Sequence, residues 1–200
     1  DGYLADLDAA WQRAHEATQR RIDADEEPAG LADCVRYALI HTSINSLAGN
    51  YDPSLVARAV ETGVWSVERA FGIARLVADA ERRAAIYTSL LKSHGLSGEQ
   101  RLAAEMEGLA AAQAISDEWY RARTLAALAP QLSNELLGEG LTMAQAISED
   151  SFRAEALAAL APQLSAEARE ATFRKELSAA QAIRDEWSRA EVLAALAPQL

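Results

Sequence analysis

The single cysteine and the three histidines carry the side chains most suited to nucleophilic or metal chemistry. Cys34 and His41 fall on one predicted helix, about 10 Å apart by helical rise, too far for a hydrogen-bonded nucleophile and base. His15 and His94 lie elsewhere, and no His or Cys pair has the i, i+4 spacing of a metal site. The sequence therefore predicts no catalytic residue, no metal ligand and no cofactor, and we do not expect an enzyme.

Charged pairs recur instead, with an acid four residues before an arginine. The pairs are Asp79 with Arg83, Asp117 with Arg121, Glu149 with Arg153 and Asp185 with Arg189. This spacing predicts an i to i+4 ion pair, with the acid in the first turn of a helix. A functional interpretation is a ladder in which Arg121, Arg153 and Arg189 present planar donors to an acidic or phosphorylated partner.

Aromatic residues stand beside these pairs, at the start of successive predicted helices. They are Trp119, Tyr120, Phe152 and Trp187. Such residues either bridge neighbouring repeats or line one edge of the array as anchors for a partner, because Trp and Tyr dominate binding hot spots. Both interpretations stay open at this stage.

The element that must position these residues is an internal repeat. The octet LAALAPQL occurs at residues 125–132, 157–164 and 193–200, and AQAI precedes each copy with constant spacing. The distance between successive copies of the octet is typical of stacked helical units, because each unit has an apolar face that it cannot bury alone. A degenerate fourth unit precedes them, in which Val77 aligns with Ile115, and Tyr87 with Leu125.

Each unit resolves into two helices. The first ends near AQAI, and an acid such as Asp117 can cap the second. Prolines at positions 130, 162 and 198 limit the second helices, because a proline has no backbone N–H to donate. In the first regular unit, Ser97 and Gln100 have the spacing of a capping box. Gln113, Gln145 and Gln181 should face away from the core.

The region before the repeats also reads as helices. An amphipathic stripe predicts one over residues 1–25, followed by a charged, Pro- and Gly-containing linker. A second helix is predicted over 31–47. Asp52 and Pro53 begin a third, which Gly63 ends, and Ser66 can cap the fourth.

These patterns predict an all-α protein, a right-handed α-solenoid of antiparallel helix hairpins. We divide it into an N-terminal helix and acidic linker over 1–30, divergent helical repeats over 31–97, and three regular helix-turn-helix repeats over 98–200. About a fifth of the residues are alanine, which lets helices approach closely at little entropic cost.

Composition narrows the expected partners and compartment. The formal charge of −11 argues against nucleic acid, which usually requires a clustered basic surface. No run of about eighteen apolar residues suggests a membrane span. A lone Cys34 among apolar residues suits a buried, reduced thiol, so we expect a cytoplasmic protein. The chain opens without Met and stops on a repeat motif, as expected of a piece of a longer protein.

The two-helix unit resembles tetratricopeptide repeats, although its period and the proline after LAALA differ from theirs. A closer resemblance is to the Ala-rich C-terminal helical repeats of bacterial STAND NTPases. It rests on IxDEWxRAxxLAALAPQL in the units ending at Leu132 and Leu200, and on the lead-in LADCVRYALIHTSINSLAGN with VETGVW. The resemblance implies a sensor or scaffold segment in signal transduction, whose trigger relieves or imposes a block on an NTPase elsewhere in the parent chain.

The expected function is therefore binding of a protein or another ligand along the solenoid surface. The candidate contacts are Trp119, Tyr120, Phe152, Trp187, Arg121, Arg153 and Arg189. The alternative is a structural oligomerisation scaffold without a regulated NTPase, self-associating through the C-terminal repeat.

Overall fold

The computed structural model describes residues 2–28 and 30–197, without the side chains of residues 2–8, 41, 44–46, 48 and 182. In the described part the chain is all-helical and has no β-strand, which confirms the predicted all-α class. The α-helices are α1 (Gly2–Asp23), α2 (Leu31–Ala48), α3 (Pro53–Glu61), α4 (Val67–Leu76), α5 (Ala80–Lys92), α6 (Gly98–Gln113), α7 (Glu118–Leu128), α8 (Asn134–Gln145), α9 (Asp150–Leu160), α10 (Ala166–Ala182) and α11 (Glu186–Leu196). None of these described helices is long and apolar enough to cross a membrane.

The helix starts follow the predicted caps. Asp52 accepts hydrogen bonds from the backbone amides of Ser54 at 2.9 Å and Leu55 at 3.4 Å. The capping box of Ser97 and Gln100 forms in both directions, at 3.0 and 3.4 Å. These bonds satisfy amides that have no partner within the helix, so local sequence fixes where the helices begin.

Prolines end two of the second helices as predicted. Helix α7 ends at Leu128 and α9 at Leu160, and each continues into a short 3-10 turn, Ala129–Gln131 or Ala161–Gln163, that contains the proline. The third proline, Pro198, lies outside the described residues. A proline has no backbone N–H and therefore cannot extend the α-helical hydrogen bonding.

The repeat units arrange their helices in two sets. The second helices α5, α7, α9 and α11 form a row in which each packs on the next, and α3 extends the row beyond α5. The first helices α4, α6, α8 and α10 each pack on the second helix that follows them. Fully buried alanines on the second helices, such as Ala122 and Ala154, allow these helices to lie close together.

The core runs through the units at equivalent positions. Leu125 and Leu157 are completely buried, and so is Tyr87, which the alignment placed at the same position of the degenerate unit. Val77 and Ile147, aligned at the end of the first helix, are each 1% exposed. The degenerate unit thus has the same packing scheme as the regular units.

One helix position distinguishes the last unit from the two before it. A Cβ at Gly140 would lie 2.9 Å from Leu132 Cδ1 and 3.5 Å from Leu160 Cδ2, so α8 approaches its neighbours closely there. The equivalent position of the longer α10 holds Glu176, which is 4% exposed. A carboxylate so deeply buried requires a polar partner.

Candidate functional site

Three of the recurring arginines bind the turn within their own unit. The guanidinium Nη1 of Arg83, Arg153 and Arg189 donates to a carbonyl oxygen six residues earlier, at 2.7, 2.9 and 3.0 Å. That carbonyl belongs to the first or second residue after the end of the first helix. Each arginine therefore joins the end of the first helix to the start of the second. Arg121 differs, with Nη2 3.8 Å from Glu118 Oε1 and a buried Nε that has no hydrogen-bond partner.

Three of the four acids that lie four residues before these arginines cap helices instead of forming ion pairs, whereas Glu149 stands at the N-cap of α9 without a side-chain cap hydrogen bond. Asp79 accepts from the backbone amide of Arg82 at 2.7 Å, and Asp185 from that of Ser188 at 2.7 Å. Asp117 accepts from Trp119 N at 2.9 Å. The backbone amide and hydroxyl of Ser188 lower the pKa of the Asp185 carboxyl below its usual value.

The predicted i to i+4 ion pairs are therefore wrong. Asp79, Asp117 and Asp185 have extended backbone at the N-cap, so their carboxylates accept hydrogen bonds from first-turn amides. The ion pairs that do form are one residue shorter, with Arg121 paired to Glu118 and Arg153 to Asp150.

Arg153 also connects two units. Its Nε lies 3.0 Å from Glu176 Oε2, and the two side chains are 14% and 5% exposed. Burial acts to lower the pKa of Arg153, but hydrogen bonds to Asp150 and Glu176 outweigh it, and the pKa is raised above its usual value. The pair supplies the partner that the buried Glu176 requires.

A second connection between units uses Glu118. Its carboxylate accepts from the backbone amides of Ser148 at 3.1 Å and Glu149 at 3.0 Å, in the turn that precedes α9. The amides of Glu149 and Ser148 lower the pKa of Glu118 below its usual value. The first turn of α7 thus holds the turn of the next unit.

A surface groove lies between α5 and α7, with a volume of about 330 Å³. It is lined by Glu81, Ala85, Thr88, Ser89, Lys92, Tyr120, Arg123, Thr124 and Ala127. Glu81 and Ala85 also line a larger cleft of about 830 Å³ that reaches Asn50 and Pro53. The groove and the cleft therefore both border α5.

Trp119, Tyr120 and Arg123 form a cluster at this groove. The rings of Trp119 and Tyr120 meet edge to face with centroids 4.7 Å apart. The guanidinium carbon of Arg123 lies 4.6 Å from the centroid of the Trp119 ring. Trp119 is 37% exposed and Tyr120 is 40% exposed. The cluster holds a cation and two aromatic surfaces in place at the edge of the groove.

The other two predicted aromatic anchors differ in exposure. Trp187 is 80% exposed on α11, whereas Phe152 is half-buried and packs against the core. The structure brings Trp119 and Tyr120 together, but Trp187 lies two units further along. Partner binding by the four aromatic residues and by Arg121, Arg153 and Arg189 stays a prediction, although Arg153 and Arg189 already donate to the protein itself.

Equivalent positions on the second helices define two rows on their exposed side. The first row consists of Trp119, Ser151 and Trp187 and is aromatic in two of the three units. The charged row, one turn further along each helix, consists of Arg123, Glu155 and Glu191. All three residues of the charged row are exposed. The two rows define the exposed face of the second helices.

Sequence reasoning missed the charged row. The signal was a position that changes between units while its neighbours repeat: Arg123, Glu155 and Glu191 lie two residues after the repeated arginines. Two residues rotate a side chain about 200° around a helix, so this position faces away from the turn that the repeated arginines bind.

The exposed face offers aromatic surface and charge. In the part of the chain that the structure describes, no group of three or more His, Cys, Asp or Glu residues could hold a metal ion. The predicted outward glutamines Gln113, Gln145 and Gln181 are exposed, which confirms their direction. Comparison of the chain with protein-family models, with curated proteins and with solved structures finds no match.

Proposed function

We propose that this chain is a non-catalytic binding module. Its units form a right-handed α-solenoid of antiparallel helix hairpins, and it recognises a protein partner, or another ligand, on the exposed face of the second helices. The observation that supports the proposal is the pair of exposed tryptophans, Trp119 and Trp187, at equivalent positions of that face.

An exposed indole ring can serve as an anchor for a partner. A Trp contributes a large apolar area with few rotatable bonds, so its burial by a partner yields much binding free energy for little lost entropy. Trp119 is also oriented by its contacts with Tyr120 and Arg123. An anchor held in this way loses little further freedom when a partner binds.

The resemblance to STAND NTPases supports a further part of the proposal. The module would be the sensor or scaffold segment of a larger NTPase, and binding of its trigger would change a block on nucleotide hydrolysis. A cytoplasmic location agrees with this role.

Self-association is the second candidate function. Trp187 is the most exposed of the described large apolar residues, and it lies on α11, the last described helix. A second copy of the chain covering this ring would give a structural oligomerisation scaffold, with no regulated NTPase required.

A library experiment tests the proposal. A random displayed peptide library is selected against the chain, and the tightest peptide is measured by fluorescence anisotropy. We expect Trp119→Ala with Trp187→Ala to weaken that peptide about tenfold or more, with unchanged helicity. Leu55→Ala, at an exposed position on α3, serves as the control and should not change the affinity.

Two results would overturn the proposal: no peptide enriched above background, or the same affinity for the double tryptophan variant as for wild type. Light scattering at several protein concentrations distinguishes self-association, the second candidate function, from partner binding. A mass that rises with concentration, and no longer does so after Trp187→Ala, would favour the scaffold.

A further inference from the structure

The charged row differs from the other charges that the repeat carries. Arg83, Arg153 and Arg189 recur in register and donate to backbone carbonyls. Arg123, by contrast, has the Trp119 ring as its contact and forms no ion pair among the described residues. Repeated charges therefore serve the fold, while the charged row varies from unit to unit.

Glu155 and Glu191 continue this row with the opposite sign. Both are exposed, and within the described residues neither has an ion-pair or hydrogen-bond partner. Helices α7, α9 and α11 pack successively on one another, so the row presents one positive charge followed by two negative charges. Packed helices have axes about 8 to 10 Å apart, which sets the spacing of the three charges.

We infer that the partner is a peptide segment that crosses α7, α9 and α11 with an acidic side chain at Arg123 and basic side chains at Glu155 and Glu191. The inference rests on the proposed function, because it specifies the partner of the same face. A peptide in the polyproline II conformation rises about 3.1 Å per residue and has three residues per turn, so every third side chain lies on the same side, about 9 Å from the last. The matching pattern is therefore acid, two residues, base, two residues, base, read in either direction.

The overall charge of the chain agrees with a partner of net positive charge. The formal charge is −11, and a field of this sign draws a basic segment toward the protein and speeds association. Arg123 then determines the register, because a basic residue placed there would face a like charge. The neighbouring Trp119 and Trp187 supply apolar contact one helical turn away.

Two synthetic peptides of twelve residues test the inference. One carries Asp-x-x-Lys-x-x-Lys and the other the inverted Lys-x-x-Asp-x-x-Asp, with identical aromatic and alanine positions elsewhere. Anisotropy titrations use wild type and the triple variant Arg123→Glu, Glu155→Lys, Glu191→Lys. The matched control, Arg174→Glu with Glu135→Lys and Glu139→Lys, changes the net charge equally at exposed positions of the first helices.

We expect wild type and the matched control to bind the first peptide about tenfold more tightly than the inverted one, and the triple variant to reverse that preference. Raising salt to 0.5 M should reduce the preference to less than about twofold. Equal binding of both peptides, binding of neither, or reversal by the matched control would overturn the inference. Library peptides that are enriched without the charge pattern would overturn it while leaving the proposed function in place.

Discussion

Arg153 is the residue whose removal tests the packing of the units most sharply. It donates to the carbonyls of Ile147 and Ser148 and is paired with Glu176 from the following unit. Replacing it with Met keeps most of the side-chain volume and removes every one of these bonds. Glu176, whose side chain is only 5% exposed, then loses the cation beside it.

The expected cost follows from that unpaired carboxylate. Removing one partner of a buried ion pair costs about 3 to 5 kcal/mol, and partial exposure of Arg153 places the value near the lower limit, about 3 kcal/mol. Arg189→Met removes one charged hydrogen bond and should cost about 1.5 kcal/mol. Arg123→Met removes an exposed contact with Trp119 and should cost about 0.5 kcal/mol.

Urea denaturation followed by far-UV circular dichroism gives these free energies of unfolding. Hydrogen exchange of the α9 and α10 amides accompanies it, because repeat arrays can open locally. The double variant Arg153→Met with Glu176→Met completes a cycle. It should be more stable than Arg153→Met alone by about 1 to 2 kcal/mol, because it contains no unpaired buried charge.

Two results would refute this reasoning. In the first, Arg153→Met would cost no more than Arg189→Met. In the second, adding Glu176→Met to Arg153→Met would give no recovery. Either result would show that Glu176 does not depend on Arg153 for its burial.

Three further predictions follow from the described contacts. Glu118 has a lowered pKa, so its stabilising contribution is present above the pKa of the unfolded chain and is lost as the pH falls through the pKa of the folded protein. Glu118→Gln should therefore make the urea midpoint depend less on pH between pH 5 and about 3. Gly138→Ala should be more stabilising than Gly140→Ala by about 1 to 2 kcal/mol in thermal melts, because an added methyl group at 138 meets no atom and one at 140 crowds its neighbours. Burial raises the pKa of Tyr87 to about 12; stability should therefore fall above pH 10, where the unfolded chain ionises first, and Tyr87→Phe should reduce that fall.

The regular parts of the fold could be predicted because they depend on local spacing. The capping box at Ser97, the N-caps at Asp52 and Ser66 and the ends at Pro130 and Pro162 each involve residues a few positions apart. Their geometry is fixed by the start or end of a helix, so the sequence contains all that is needed.

The charged contacts could be predicted less well, because they depend on which residue is the first in the helix. A shift of one position decides whether Asp117 pairs with Arg121 or caps α7. The pair of Arg153 and Glu176 joins residues 23 positions apart in adjacent units, and no local spacing indicates it. Arg123 was visible four residues after Trp119, but its exposure depends on how α5 and α7 pack.

The most direct test of binding on the exposed face is a proton–nitrogen NMR titration with the tightest library peptide, observing the indole N–H signals of the four tryptophans. The proposal predicts that the signals of Trp119 and Trp187 shift together and saturate with the peptide. The signal of Trp65, which lies between α3 and α4, should stay unchanged. Saturating shifts confined to Trp65, or to backbone amides of the first helices α6 and α8, would contradict it.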